Sequence, residues 1–219
     1  MGDITLVVGN KNYSAWSLRA WLALKVTGAE FEEILIPLDQ PNSRQEILKH
    51  WRNGKVPILK HDQNIVWESL AICEYLAELF PEAGLWPTDT RARGIARAIS
   101  SEMHAGFVTF CDAMPMNIRS RFPDEGRLPG VQEDINRIAA IWRRGRERYG
   151  QEKAGPFLFG DFTIADAMFA PVVSRFRTYA VELGEIEQAY ADAVWEHPAM
   201  QEWAKAAQTE PMVIDRAEF

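Results

Sequence analysis

The apolar positions in the first eighty residues alternate between strand-like and helix-like spacing. Ile4-Thr5-Leu6-Val7-Val8 is a short, β-branched run stopped by Gly9, which predicts a buried strand. From Ser14 to Val26 the apolar residues Trp16, Leu18, Ala20, Trp21, Leu22, Ala23 and Leu24 cover nearly the whole helical circumference. A helix apolar all round is buried, and Gly28 stops it. Phe31 to Ile36 predicts a second strand, ended by Pro37. Ser43-Arg44-Gln45-Glu46 fits a capping box and predicts a short helix through Ile47 and Leu48. Val56 to Lys60 and Asn64 to Trp67 predict a hairpin around His61-Asp62-Gln63. Ser69 then opens a helix with Ile72, Tyr75, Leu76 and Leu79 on one face, and Pro81 ends it. Two strands joined through a helix suggest a parallel pair, which the hairpin extends antiparallel.

The stretch 81–90, with two prolines and a glycine, divides the chain, and little strand signal follows it. Arg91 to Ala113 reads as one helix, broken by Pro115. Further helices are predicted over Val131–Tyr149, Thr163–Tyr179, Ile186–Trp195 and Pro198–Gln208. Thr163-Ile164-Ala165-Asp166 is a capping box: the Asp166 side chain can reach back to the Thr163 N–H while Thr163 serves Asp166. Its expected role is architectural.

Composition narrows the function. The chain has 219 residues, 47% hydrophobic and 25% charged, enough apolar mass for a sizeable core. Its 24 basic and 31 acidic residues give a net charge of -7, which argues against a nucleic-acid partner. Cys73 and Cys111 are too few and too far apart for a disulfide framework or a redox pair, and fit a reducing cytoplasm. No apolar run nears the ~18 residues of a spanning helix, so no membrane partner is expected. His50, His61, His104 and His197 lack metal-ligand spacing, so no metal is expected. Gly54-Lys55 lacks the frame of a phosphate loop. The arginines Arg143, Arg144, Arg146 and Arg148 read as a solvated face at a helix end.

Four motifs in order carry a resemblance. They are Asn12-Tyr13-Ser14-Ala15-Trp16-Ser17-Leu18-Arg19, Gly54-Lys55-Val56-Pro57, Glu68-Ser69, and Gly160-Asp161-Phe162-Thr163-Ile164-Ala165-Asp166. In this register the chain resembles the glutathione transferase superfamily along nearly its whole length, nearest to bacterial members of serine or cysteine type. The resemblance implies an α/β thioredoxin-like N-terminal domain over 1–80, a linker over 81–90 and an all-α domain over 91–219. It also implies a homodimer that binds glutathione and conjugates it to a hydrophobic electrophile.

The resemblance further implies site roles. The Val56–Pro57 bond should be cis, with Val56 pairing a bound cysteinyl backbone as an added strand. Ser69, at a helix start, should hold the γ-glutamyl carboxylate and Glu68 the adjacent amino group. Lys55 could offset the ligand's other carboxylate, or be a solvated hairpin lysine. Ser14 stands where cysteine-type members carry their Cys. A hydroxyl at a helix N-terminus can hydrogen-bond a thiolate, with the helix dipole adding to the field. Lowering a thiol pKa by two units needs ~2.7 kcal/mol, within reach of one charge-assisted bond plus a dipole. Ser17, one turn later, is the rival, and either serine could be only a cap.

Arg19 is expected to pair with a carboxylate inside the fold. His104, Phe107, Cys111 and Met114 could line a hydrophobic pocket between the domains, or be a core stripe. Trp51-Arg52 stand where many members have Ser-Pro or Asn-Pro. With no Cys near Ser14, thiol-exchange chemistry is not expected. Two other readings stay open: a glutathione-transferase-like interaction module without turnover, and a glutathione-dependent isomerase, against which the missing Ser-Ser-Cys entrance counts.

Overall fold

The computed structural model describes residues 2–150 and 155–219. Four strands, β1 (Ile4–Val8), β2 (Glu32–Leu35), β3 (Ile58–His61) and β4 (Asn64–Trp67), form one mixed sheet in the order β2-β1-β3-β4. β1 runs parallel to β2, with Val8 opposite Leu35, and antiparallel to β3, with Leu6 opposite Leu59. The hairpin pairs Ile58 with Trp67. The period of two decides the layers: Leu6 and Val8 join the main core, while Val7 faces a smaller cluster with Ile36, Ile47 and Ile58.

Helix α1 (Ala15–Val26) and helix α3 (Ser69–Leu79) pack together in the main core, and α2 (Ser43–Leu48) covers the smaller cluster. The capping box expected at Ser43 does not form. Asn42 is the N-cap, and Ser43 Oγ instead accepts the Gln40 N–H at 2.8 Å and donates to the Pro37 carbonyl at 2.6 Å. A serine already inside the first turn serves the preceding loop better than its own helix.

The C-terminal domain is helical: α4 (Thr90–Ala105), α5 (Val108–Ala113), α6 (Val131–Gly145), α7 (Ile164–Thr178), α8 (Glu185–Glu196) and α9 (Pro198–Thr209). The single helix expected from Arg91 to Ala113 is broken. Gly106 is extended, with the Glu102 carbonyl where a Cβ would stand, and Phe107 is left-handed at φ 57. Proline was not the only breaker in this stretch. Helix α7 is buried on every side and packs against α1, α4 and α8. Its start is held by Asp166, which accepts the Thr163 N–H and hydroxyl on Oδ2 at 2.8 and 2.9 Å and the Leu158 N–H on Oδ1 at 3.1 Å.

The stretch 210–219 folds back onto the loop that leads into α1. Glu210 accepts the backbone N–H groups of Lys11 and Asn12, and Arg119 donates to the carbonyls of Glu210 and Met212. Tyr13 Oη donates to Glu218 at 2.6 Å, and Asn117 Nδ2 to the Ala217 carbonyl at 3.0 Å. Trp203 Nε1 donates to the Lys11 carbonyl at 2.8 Å, so α9 grips the same loop. No helix among the described residues is long and apolar enough to cross a membrane, and no group of metal-ligating side chains is found among them.

Candidate active site

A cleft of about 560 Å³ opens between the two domains, lined by Trp16, Asn53, Lys55, Val56, Pro57, Trp67, Glu68, Ser69 and His104. The Val56–Pro57 peptide is cis. Val56 precedes β3, and among the described residues neither its N–H nor its carbonyl bonds another backbone group outside regular elements. An unpaired backbone just ahead of a strand is what an extended peptide can pair with.

At the opposite wall Glu68, not Ser69, is the N-cap of α3. Its backbone sits at φ 79, ψ 126, a region that costs a side-chain-bearing residue roughly 1–3 kcal/mol and persists only where the surroundings impose it. The strain turns the chain so that Ser69 becomes the first helical residue. Glu68 Oε1 accepts the Ser69 hydroxyl at 3.1 Å and the Leu70 N–H at 3.4 Å. The carboxylate thus stands at the positive end of α3, where helix dipole and free N–H groups favour negative charge. From α4, His104 Nδ1 approaches the same Oε1 at 3.5 Å. His104 also meets Trp16 edge-on, ring centroids 5.1 Å apart, which closes the cleft between α1 and α4.

Ser14 is the N-cap of α1, nearly buried and off the cleft wall. Its hydroxyl donates to Ser17 Oγ at 2.7 Å, and Ser17 Oγ accepts the Gly9 N–H at 3.0 Å. Ser17 is 0% exposed and already engaged by two donors. The pair therefore differs in kind: Ser17 anchors the end of β1, while Ser14 keeps its lone pairs and can turn its proton outward.

The remaining expected residues are divided. Lys55, Val56, Pro57, Glu68, Ser69 and His104 surround one cleft. Phe107 and Met114 are buried in the main core, and Cys111 is half-buried against it, so these three do not line the cleft. The turn at Gly106–Phe107 is the reason, because it swings α5 away from the line of α4. Trp16 and Trp67, each 44% exposed, and Asn53 line the cleft without having been expected. Each adjoins an expected motif, and two exposed tryptophans are the signal that could have found them.

Among the described residues Arg19 has no carboxylate partner, contrary to expectation. Its side chain is buried, its Nε and Nη1 have no acceptor, and its guanidinium lies 4.5 Å from the Trp16 ring centre. Burial, with a smaller push from Arg175, holds its pKa down at about 10.

Two family models match, described as the N-terminal domain of glutathione S-transferase over residues 13–79 and the C-terminal domain over residues 125–206. The chain is 30% identical over 173 residues to the maleylacetoacetate isomerase of Rattus norvegicus, covering 77% of this chain and 76% of that protein. It is 26% identical over 171 residues to glutathione S-transferase L1 of Arabidopsis thaliana, covering 77% of this chain and 65%, just under two thirds, of the plant protein. A crystal structure of a glutathione transferase homolog from Burkholderia gl BGR1 with bound glutathione superposes with a TM-score of 0.70 at 26% identity, covering 96% of this chain and 100% of that one. On these matches and this architecture, the chain belongs to the glutathione S-transferase superfamily.

Proposed function

We propose that the protein binds glutathione in the interdomain cleft, stabilises its thiolate through Ser14, and joins the sulfur to a hydrophobic electrophile. The convergence of Val56, Lys55, Glu68 and Ser69 on one cleft beside the start of α1 carries this reading. The cysteinyl backbone pairs with Val56, the γ-glutamyl carboxylate takes the Ser69 hydroxyl and first N–H groups of α3, and Glu68 takes the ammonium. Lys55 offsets the glycyl carboxylate.

The serine pair then acts as a relay of dipoles. Gly9 N–H donates to Ser17; with both hydroxyls rotated, Ser17 donates to Ser14, and Ser14 donates to the sulfur. The thiol proton leaves to solvent, the sulfur lone pair forms the new S–C bond, and the electrophile's leaving group departs with its electron pair. Proximity and stabilisation of the sulfur anion do the work. The superfamily likeness extends the reading to a cytoplasmic homodimer, which sedimentation of the purified protein checks.

A second reading is glutathione-dependent cis–trans isomerisation, favoured by the 30% identity to a maleylacetoacetate isomerase. There the thiolate adds to a conjugated double bond, the resulting single bond rotates, and the sulfur is expelled. One experiment decides between them: glutathione titration with ultraviolet detection of bound thiolate, then turnover with glutathione counted. Transfer consumes one glutathione per product, and isomerisation consumes none. If no glutathione binds, both enzyme readings fall and a non-catalytic interaction module remains.

A further inference from the structure

Helix α7 ends in a left-handed turn that builds a cavity away from the interdomain cleft. Ala180 takes φ 50, and the Val181 N–H returns to the Phe176 carbonyl at 2.9 Å. Such a turn usually carries glycine; here an alanine turns the chain toward α8. Val181 and Leu183 thereby line one cavity with Val173 and Phe176 of α7 and Ala191 of α8, which together make an apolar floor. The cavity holds about 250 Å³ and shares no lining residue with the cleft.

Its rim is cationic. The Phe122 N–H donates to the Thr178 carbonyl at 2.8 Å, which sets Arg121 beside the end of α7, and both Arg121 and Arg177 line the cavity. Arg121 Nη1 donates to the carbonyls of Ile118 and Ser120 at 3.3 and 2.8 Å, which fixes its fork. The Arg177 guanidinium lies 4.4 Å from the Trp195 ring centre, and its Nε is enclosed without an acceptor among the described residues. Asp192 Oδ1 stands 3.7 Å from Arg177 Nη1 and already accepts Gln188 Nε2 at 2.9 Å. Burial, then Arg121, lowers the Arg177 pKa, with Asp192 and Glu196 pulling more weakly the other way. The negative end of α7 is met separately, because Arg127 Nη2 donates to the Tyr179 carbonyl at 3.3 Å.

A stacked guanidinium with an unmade donor, above an apolar floor, suits an acceptor that carries its own apolar body. Two guanidiniums against the Asp192 carboxylate leave one positive charge, which a monoanion matches and a dianion exceeds. At roughly 30 Å³ per water-sized group, the cavity takes on the order of eight non-hydrogen atoms.

We propose that this cavity binds an aliphatic monocarboxylate of about six carbons, at a site independent of the cleft. The carboxylate lies between Arg121 and Arg177 and takes the free Arg177 Nε–H, while the chain covers Val173, Phe176 and Val181. The inference stands whether or not the cleft binds glutathione.

Hexanoate is the probe, and hexanamide is its uncharged counterpart. The full-length protein is titrated calorimetrically with each, and with inorganic phosphate, at constant ionic strength and neutral pH. Backbone amide chemical shifts locate the site. The expected result is hexanoate binding at least about tenfold tighter than hexanamide or phosphate, with the largest shifts at Ala180, Val181, Leu183 and Ala191. Arg121 is exposed, so Arg121→Met should fold normally and remove the preference, as should Arg177→Met; Arg121→Lys should keep most of it. If Arg177→Met does not fold, Arg121→Met decides alone. No saturable binding of hexanoate overturns the proposal, as does equal binding of acid and amide or tighter binding of phosphate. So does a preference that survives Arg121→Met. Hexanoate shifts centred on Trp16 and Ser69 also overturn it, because they put the acid in the cleft.

Discussion

Glu210 and Asn12 lie 198 positions apart in the chain, yet Glu210 Oε2 accepts the Asn12 N–H at 2.9 Å. The other carboxylate oxygen takes the N–H of Lys11. One carboxylate thus takes two successive backbone donors of the turn from which Ser14 enters α1. Glu210→Ala leaves two buried N–H donors unpaired, and at about 1–3 kcal/mol each the expected loss is roughly 2–6 kcal/mol. Urea denaturation measures it. Glutathione affinity should fall more than in a control variant of equal stability altered at α8.

The two serines should separate cleanly. Ser14→Ala should leave the fold nearly unchanged and raise the pKa of bound glutathione by one to two units, a cost of ~1.4–2.7 kcal/mol. Ser17→Ala strips the Gly9 N–H of its acceptor and should destabilise the protein by about 1–3 kcal/mol. Thiolate absorbance and thermal melting together read both effects. A larger thiolate loss in Ser17→Ala than in Ser14→Ala would reverse the assignment.

The two cysteines should differ toward thiol reagents. Cys73 is fully buried, and burial pushes its thiol up to about 12. At pH 8 its thiolate fraction is then on the order of 10⁻⁴, so only half-buried Cys111 should be alkylated in the native protein. Mass spectrometry of the labelled peptides, with and without denaturant, checks this.

Asp166 gives a pH dependence. Burial outweighs the bonds donated by Leu158 and Thr163 and pushes its carboxyl up to about 6. An unfolded aspartate titrates near ~3.9. Between these values the folded chain binds a proton that the unfolded chain releases, so this group's stabilisation is full below pH 4 and lost as pH rises through 6. About two units correspond to ~3 kcal/mol. The melting temperature of the unaltered protein minus that of Asp166→Asn should fall across this interval.

Much of this was legible in the sequence because it is local. The run Ile4–Val8, the all-apolar helix after Ser14 and the pairing of Thr163 with Asp166 each announce an element within a few residues. The break at Gly106–Phe107 was missed because helical periodicity continues through it into α5. The start of α3 at Ser69 was legible, but that a strained glutamate, Glu68, caps it was not, since serine and not glutamate is the usual cap. Arg19 was expected to find an acid, and one-dimensional patterns do not reveal that α7 brings another arginine instead. The contacts of Glu210 carry no sequence signature, because a polar stretch without periodicity is indistinguishable from a loose tail until the fold closes.

The fold-back of residues 210–219 bears on synthesis. The loop ahead of Ser14 leaves the ribosome well before Glu210, which bonds it and lies 198 positions after Asn12. A nascent polypeptide that stalls before that glutamate can assemble its sheet and most of its helices, yet the loop leading to Ser14 still lacks its acceptor. The wall of the proposed site that carries Ser14 is thereby completed only after residues 210–219 have been made.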